Sequence, residues 1–184
     1  MFCHSCGHRL DAWPPTRCSS CGVEHWNDAK PCAGALVVYQ SRLLLVRRAH
    51  DPWKGFWDIP GGFCNPDEHP MRAAQREVFE EVGIDVNIVG FLGMWLDEYE
   101  GTKRTLNICY HAVPAGSHEG TLDTTEVAQV GWFTPSELPT QLAFPGHIPA
   151  VLEAWKRVAN SGDFVTELLD RPANTRIKPD RPIV

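Results

Sequence analysis

With 184 residues, the chain is long enough for one domain of ordinary size and a small additional segment. Hydrophobic residues make up 43% of it, which excludes a chain that is disordered throughout. Its 17 Lys and Arg against 23 Asp and Glu argue against binding of nucleic acid through a broad basic surface. No apolar run approaches the roughly 20 residues of a membrane helix, and no apolar signal-peptide stretch is present, so we expect a cytoplasmic protein.

The first segment, residues 1–28, contains two Cys-x-x-Cys pairs separated by eleven residues. They are Cys3/Cys6 and Cys18/Cys21, and each is followed by Gly. Two such knuckles are typical of tetrahedral Zn²⁺ ligation by four thiolates. We predict a structural zinc ribbon whose folding is coupled to metal binding, because the segment has few apolar side chains. Contact with nucleic acid and a dimer interface are alternative roles, and the acidic charge balance favours a purely structural one.

A mixed α/β domain is predicted for residues 33–160. Strands are expected at residues 35–39 and 42–47 as a hairpin, and at 56–59, 86–96, 105–113 and 130–133. A helix is expected from Pro70 to Val82, with proline at its start and Gly83 just past its end. Further helices are expected at residues 134–138 and 148–158, so that helices cover both faces of the sheet. The polar residues 161–184, which include several prolines, are expected to form a flexible tail.

Three glutamates share one side of the predicted helix 70–82. With Glu77 as origin, Glu80 falls near 300° and Glu81 near 40° at about 100° per residue. Like charges at this spacing are unfavourable, so a bound cation is expected. Carboxylate oxygens suit Mg²⁺ or Mn²⁺, which would bring phosphate oxygens with it. The predicted core face, at about 60–200° around the same helix, consists of Met71, Ala74, Val78, Phe79 and Val82.

Residues around the helix complete this predicted site. Gly61 and Gly62 allow the backbone to approach an ion closely and leave a carbonyl to ligate it. Arg76 can hold a carboxylate in a fork of hydrogen bonds. Glu68, in the loop ahead of the helix, is within reach of water around the metal or of Arg76. A cation that bridges a diphosphate neutralises charge on the leaving group, while a carboxylate or the metal activates water.

The same residues fit a longer pattern, G-x5-E-x7-R-E-U-x-E-E-x-G-U, in which U is aliphatic. Its fixed positions are occupied by Gly62, Glu68, Arg76, Glu77, Val78, Glu80, Glu81, Gly83 and Ile84. The pattern resembles the motif of the Nudix hydrolase family. This resemblance implies an α/β/α sandwich with a mixed sheet over about two thirds of the chain. It also implies Mg²⁺- or Mn²⁺-dependent hydrolysis of a nucleoside diphosphate linked to another moiety.

The family pattern also implies residue roles. Glu77, Glu80 and Glu81 would include the metal ligands and the general base, with the Gly61 carbonyl as a further ligand. Arg76 and Glu68 would support them. A further acidic residue is expected in a loop, where Glu126 lies six residues before Trp132. Three residues compete with Glu126 for that role: Asp97, Glu98 and Asp123.

The combination of a zinc ribbon with this domain resembles the NADH-pyrophosphatase-like branch and related ADP-ribose hydrolases. That resemblance implies ADP-ribose, NAD(H), FAD or a similar dinucleotide as the substrate. Two markers depart from it, because residues 90–96 read G-F-L-G-M-W-L rather than an S-Q-P-W type stretch and no proline lies between Pro70 and Pro114. Tyr99, sixteen residues after Gly83, is placed as in many dinucleoside-polyphosphate hydrolases. The sequence therefore predicts the type of reaction and leaves the choice of substrate open.

Two other functions fit parts of the same pattern. One is a catalytically silent nucleotide-binding regulator whose ribbon contacts DNA or a partner, although the intact glutamates argue against it. The other is hydrolysis of a non-nucleotide diphosphate. The family resemblance further implies a homodimer.

Overall fold

The computed structural model describes residues 1–99 and 103–161. The chain forms two compact units, Met1–Lys30 and Pro31–Val184. Of the predicted tail 161–184, Ser161 ends a helix, and the remainder lies outside the described residues. Within the described residues, no helix is long and apolar enough to cross a membrane.

The first unit is built around its cysteines. Two short strands, β1 (Thr16–Arg17) and β2 (Glu24–His25), pair antiparallel. Cys3 and Cys18 are buried together with Leu10, and this is a small core for a unit of this size. The four sulfur atoms of the two Cys-x-x-Cys pairs all lie within 4.8 Å of one another. The cysteines therefore converge on a single point, as the knuckle spacing predicts.

In the part of the second unit that the structure describes, there are one sheet and two helices. Its strands are β3 (Lys30–Tyr39), β4 (Arg42–Arg48), β5 (Trp57–Asp58), β6 (Gly61–Phe63), β7 (Val86–Tyr99), β8 (Lys103–Pro114) and β9 (Val127–Phe133). The helices are α1 (Pro70–Val82) and α2 (Ile148–Ser161). The strand order is β5–β4–β3–β8–β7, with β6 paired to β3 and β9 paired to β4.

The sheet is covered by one helix on each face, because its strands alternate between two cores. In β3, Ala35 and Val37 pack in the same core as α1, whereas Leu36 packs in the same core as α2. In β4, Leu44 packs in the same core as α1, and Leu45 packs in the same core as α2. The predicted α/β/α sandwich is confirmed.

Helix α1 has the predicted bounds. His69 caps its N-terminus by accepting a hydrogen bond from the Met71 amide at 3.2 Å, with Pro70 at the first helical position. Gly83 ends it in the left-handed conformation at φ 68°, and its N–H donates to the Phe79 carbonyl at 2.8 Å.

The predicted core face of α1 is wrong at Phe79, which is 52% exposed. The buried residues of the helix are Ala73, Ala74, Glu77, Val78, Glu81 and Val82. They span about 320° through 0° to 140°, so the inward side is rotated away from Phe79 at about 200°. Glu77 and Glu81 consequently lie within the buried side of the helix rather than beside it.

The helix predicted at residues 134–138 is absent; the structure has a turn there. The Glu137 carboxylate accepts from the Thr134 hydroxyl at 2.7 Å, and the Glu137 amide donates to the Thr134 carbonyl at 3.0 Å. This local turn does not continue, because Pro139 disfavours helical geometry at the residue before it. Strands β7 and β8 extend beyond their predicted bounds.

Candidate active site

A cleft of about 550 Å³ lies in the second unit, where α1, the sheet and the segment before α2 meet. Among the predicted site residues, it is lined by Gly61, Gly62, Arg76, Glu77, Glu80, Glu81 and Glu126. Glu68 joins the same cluster by bonding to Arg76. The structure thus brings the sequence-predicted residues of this domain together.

Arg76 is the hub of the carboxylate cluster. It donates to both oxygens of Glu68 at 2.9 Å, in a two-pronged arrangement. Its Nη1 donates to Glu77 and to Glu80, at 2.7 Å each, and its Nη2 donates to the Phe63 carbonyl at 3.1 Å. One guanidinium therefore fixes three carboxylates from α1 and the loop ahead of it, and these bonds hold the pKa of Glu68 below its usual range.

Glu81 is the most exceptional carboxylate of the site. It is 9% exposed, and its Oε2 has no hydrogen-bond partner among the described residues. Burial raises the pKa of Glu81 well above its ordinary value, and the nearby carboxylates of Asp58, Glu77 and Glu126 act in the same direction. A backbone hydrogen bond with Gly61 offsets this only in part. A buried carboxylate left in this state needs a cation or a proton.

Glu77 is also held inside the fold. It is 8% exposed, and burial raises its pKa even though Arg76 bonds to it. A Cβ built on Gly62 would lie 2.6 Å from Glu77 Oε2, so this carboxylate occupies the space that a side chain at residue 62 would need. A Cβ on Gly61 would lie 2.6 Å from the Cα of Gly34. Close packing within the fold thus accounts for both glycines, and the predicted approach of this turn to a metal ion stays a prediction.

The predicted loop carboxylate, Glu126, lines the cleft, whereas its three competitors are not among the residues that line it. Asp123 Oδ1 accepts from the amide of Thr125 at 2.8 Å and from its hydroxyl at 2.6 Å. Glu98 pairs with Arg104 at 3.4 Å, and Asp97 lies 3.2 Å from His147. These contacts favour Glu126 for the role, which stays a prediction.

Asp58 is a cleft residue that the sequence did not single out. It is buried, and it accepts from the Ile59 amide at 2.9 Å and from Arg48 at 3.3 Å. Burial raises the pKa of Asp58 to about 6, against the opposing effect of Arg48. Its position immediately before Ile59-Pro60-Gly61-Gly62 was the available signal. A single Asp in a strand of two residues, however, does not form a recognisable sequence motif.

A second group that the sequence did not reveal is Cys109, His147 and Asp97. The Cys109 sulfur is 3.2 Å from His147 Nε2, and His147 Nδ1 is 3.2 Å from Asp97 Oδ2. Cys109 and His147 line the cleft, and burial lowers the pKa of His147 to about 4, so its ring is neutral at physiological pH. The three residues come from β8, the segment before α2, and β7, so no local spacing could have linked them.

The donors around Glu81 fit a hard divalent cation. They are carboxylate oxygens, which Mg²⁺ and Mn²⁺ prefer, and the buried Glu81 Oε2 has no hydrogen-bond partner in the part of the chain that the structure describes. The absence of a side chain at Gly62 leaves space that the Glu77 carboxylate occupies. A cation held by these carboxylates would bind phosphate oxygens in the adjoining cleft. Such an arrangement suits transfer of a phosphoryl group to water.

Comparison with known proteins gives the class of this site. Residues 29–153 match the NUDIX domain, so the chain belongs to the Nudix hydrolase family. The prediction of a Nudix pyrophosphohydrolase is confirmed at the level of the family. The family implies a divalent metal, in agreement with the donor set.

Particular relatives add detail. A MutT-like protein of Streptomyces ambofaciens is 34% identical over 60% of this chain and 67% of the relative. The NAD-capped RNA hydrolase NudC of Stutzerimonas stutzeri is 30% identical over 75% of this chain, which spans about half, 49%, of that relative. The crystal structure of a NUDIX hydrolase from Nitrosomonas europaea superposes with a TM-score of 0.70 at 23% identity, over 88% of this chain and 93% of that one.

Proposed function

We propose that this protein hydrolyses the diphosphate linkage of a nucleoside diphosphate derivative such as ADP-ribose, NAD(H), FAD or a similar dinucleotide. The observation that carries the proposal is the buried Glu81 carboxylate, which lines a cleft large enough for a nucleotide and has one oxygen without a hydrogen-bond partner among residues 1–99 and 103–161. The similarity to a relative named as an NAD-capped RNA hydrolase supports a dinucleotide substrate.

In this proposal, some site residues bind the metal and others hold those ligands in position. Glu77, Glu80 and Glu81 hold Mg²⁺ or Mn²⁺, with the Gly61 carbonyl as a further ligand. The bound cation supplies a Lewis acid that neutralises charge on the diphosphate. Arg76 keeps two of the glutamates in place, and Glu68 keeps Arg76 in place.

The same carboxylates also take part in proton transfer. A carboxylate of the cluster accepts the proton of the attacking water. Glu126 lies at the rim of the cleft, exposed to solvent, where it contributes an additional charge toward the metal.

In the first unit we propose a structural zinc ion bound by Cys3, Cys6, Cys18 and Cys21. Two of the sulfur separations, Cys3–Cys21 and Cys6–Cys18, are 3.6 and 3.7 Å. Zn–S bonds of tetrahedral geometry place sulfurs about 3.8 Å apart. Four cysteine ligands close such a site, so its role is to stabilise the fold.

The proposed activity is tested by a hydrolysis screen with Mg²⁺ or Mn²⁺. The panel contains ADP-ribose, NADH, FAD, a dinucleoside polyphosphate, a sugar nucleotide and a prenyl diphosphate, with products identified by mass. Glu81→Gln should lose about 10³-fold in kcat, while the exposed Glu119→Gln should retain wild-type turnover. Normal turnover by Glu81→Gln would overturn the proposal. Tight nucleotide binding without hydrolysis would favour the silent regulator, and a prenyl diphosphate as best substrate would favour the non-nucleotide alternative.

A further inference from the structure

The loop between β8 and β9, residues 115–126, lies directly against the end of helix α1. A Cβ built on Gly120 would overlap the carbonyl oxygen of Val82, and a Cβ on Gly83 would lie 2.5 Å from the Thr121 amide nitrogen. No side chain would fit between the two backbones at this point. The loop is therefore in backbone contact with the helix that carries the glutamates.

Asp123 is the residue of this loop that bonds to the helix. Its amide donates to the Glu81 carbonyl at 3.1 Å, in the last turn of α1, where carbonyls lack partners within the helix. Its side chain closes a turn, because Oδ1 accepts from the amide and the hydroxyl of Thr125 at 2.8 and 2.6 Å. These bonds hold the pKa of Asp123 below its ordinary value. Asp123 thus connects the backbone of Glu81 to the turn that precedes Glu126.

The segment that follows β4 holds the other side of the same turn. The Ala49 amide donates to the Glu126 carbonyl at 3.0 Å, and His50 Nε2 donates to the Thr125 carbonyl. The next residue, Val127, begins strand β9. The backbone of Glu126 is consequently fixed from both sides, while its side chain lines the cleft and is exposed to solvent.

The charge of Glu126 reaches the buried carboxylates. Burial is the first cause of the raised pKa of Glu81, and Asp58, Glu77 and Glu126 add to it. Burial is also the first cause for Glu77, and Glu126 again acts in the same direction. In the part of the chain that the structure describes, no hydrogen bond or ion pair holds the Glu126 carboxylate itself. Its position therefore depends on the backbone of the turn.

We infer that Asp123 is a positioning residue, which fixes the Glu126 carboxylate relative to Glu81 by bonding both to the Glu81 carbonyl and to Thr125. The inference rests on the proposed function, since Glu126 acts on a cation and a diphosphate in the cleft. Asp123 works by accepting hydrogen bonds rather than by its charge. Its effect therefore passes through Glu126 and survives replacement by Asn, whose Oδ1 accepts the same two bonds.

A double-mutant cycle tests whether Asp123 acts through Glu126. With the best diphosphate substrate, Asp123→Ala and Glu126→Gln should each lower kcat about tenfold and leave KM nearly unchanged, because misplaced charged groups are costly. The double variant should also lose about tenfold, whereas independent sites would lose about a hundredfold. Asp123→Asn should stay within about twofold of wild type. Ser117→Ala is the matched control, because it removes a similar turn in the same loop, where Ser117 bonds to the amide and carbonyl of Glu119 at 3.1 Å.

Mn²⁺ binding gives a second measurement that needs no turnover. Electron paramagnetic resonance of the free ion should show that Asp123→Ala and Glu126→Gln each weaken binding by about threefold, since both reduce the negative charge near the metal. Asp123→Asn and Ser117→Ala should bind Mn²⁺ as wild type does. Thermal melting shows whether Asp123→Ala is folded. If it is not, Thr125→Val takes its place, because it loses the hydroxyl donor and keeps the amide donor.

Three results would overturn the inference. They are wild-type kcat and Mn²⁺ binding in a folded Asp123→Ala protein, a loss that adds to that of Glu126→Gln, and a loss in Asp123→Asn as large as in Asp123→Ala. The last result would mean that the charge of Asp123 matters. If wild type hydrolyses no diphosphate, the proposed activity fails, and Mn²⁺ binding alone decides on Asp123. A wild-type protein that binds no Mn²⁺ would overturn both.

Discussion

The carboxylate of Glu77 lies where a side chain at residue 62 would have to go, since a Cβ on Gly62 would be 2.6 Å from Glu77 Oε2. Displacement of the carboxylate would disturb the hydrogen bond that Arg76 donates to its other oxygen at 2.7 Å. Strand β6 and helix α1 therefore approach each other closely at the carboxylate cluster. Because of this contact, the residue at position 62 affects where Glu77 Oε2 can lie.

Gly62→Ala is expected to displace the Glu77 carboxylate and lower kcat/KM by about 10- to 100-fold, because small misplacements of catalytic groups are costly. The global fold should survive, since the contact is with a side-chain end. Steady-state kinetics and thermal melting of the same preparation measure both effects. Gly116→Ala is the matched control, because a Cβ there meets nothing within 4 Å. Unchanged kinetics in Gly62→Ala would show that the position of Glu77 is unimportant.

Arg76→Lys should reduce kcat/KM by about 10²-fold despite keeping the charge. A lysine ammonium cannot span Glu68, Glu77 and Glu80 at once, so the carboxylates lose their fixed spacing. Arg72→Lys, on the same helix, removes only a hydrogen bond to Gln75 and serves as the control. Kinetics at several Mg²⁺ concentrations measure the loss. Equal activity of the two variants would contradict a positioning role for Arg76.

Helix α1 and its glutamates were predictable because their signals are local. Pro70, Gly83 and the glutamate spacing all lie within one short segment, and the helix has the predicted bounds. The side of that helix that faces the sheet was harder to predict from the sequence. Phe79 is apolar and was predicted to be buried, but the side that faces the sheet is centred near Glu81 instead. Packing against the sheet decides which arc turns inward, and helical periodicity alone cannot supply that.

The rest of the cleft depends on contacts between distant parts of the chain. Cys109 and His147 are 38 residues apart and become neighbours only when β8 and the segment before α2 meet. Asp58 similarly becomes a cleft residue through the pairing of β5 with β4. Each is an isolated residue in the sequence. Local reasoning could thus predict the helix that carries the glutamates but not the other residues that line the cleft.

Glu81→Gln is expected to stabilise the metal-free protein at pH 8 while removing activity. Burial raises the Glu81 pKa, so ionising this group in the folded state costs free energy that is absent at low pH and grows as the pH rises above the ordinary carboxyl range. A neutral amide avoids this, with a gain of about 1–3 kcal/mol in the free energy of unfolding. Urea unfolding with chelator at pH 8 and pH 4.5 measures the gain, which should shrink at the lower pH.

The control for this stabilisation is the exposed Glu119→Gln, which should change stability little at either pH. Saturating Mg²⁺ should reverse the order, because only the wild-type carboxylate retains its full charge for the cation. A Glu81→Gln protein that is less stable than wild type without metal would count against an ionised, uncompensated carboxylate at this position.

Removal of one cysteine ligand should abolish zinc binding and unfold the first unit. Cys18 is buried in the small core of that unit, so Cys18→Ser loses both a metal ligand and a core residue. Elemental analysis should find about one Zn²⁺ per wild-type chain and none in the variant. Cys64→Ser, outside the cluster, should retain the metal. Limited proteolysis within residues 1–30 reports the unfolding, and zinc retained by Cys18→Ser would contradict a four-cysteine site.

His111 should make the protein less stable as the pH falls. Burial lowers its pKa from the ordinary 6.5 to about 4. Between these values the unfolded chain binds a proton that the folded chain does not, so stability is full above pH 6.5 and declines toward pH 4. His111→Gln removes this contribution, and the slope of unfolding free energy against pH should fall by up to about 1.4 kcal/mol per unit. His147 still contributes in the variant, because burial also lowers its pKa to about 4. The exposed His8→Gln should keep the wild-type slope, and identical slopes in all three proteins would show that folding does not lower the His111 pKa.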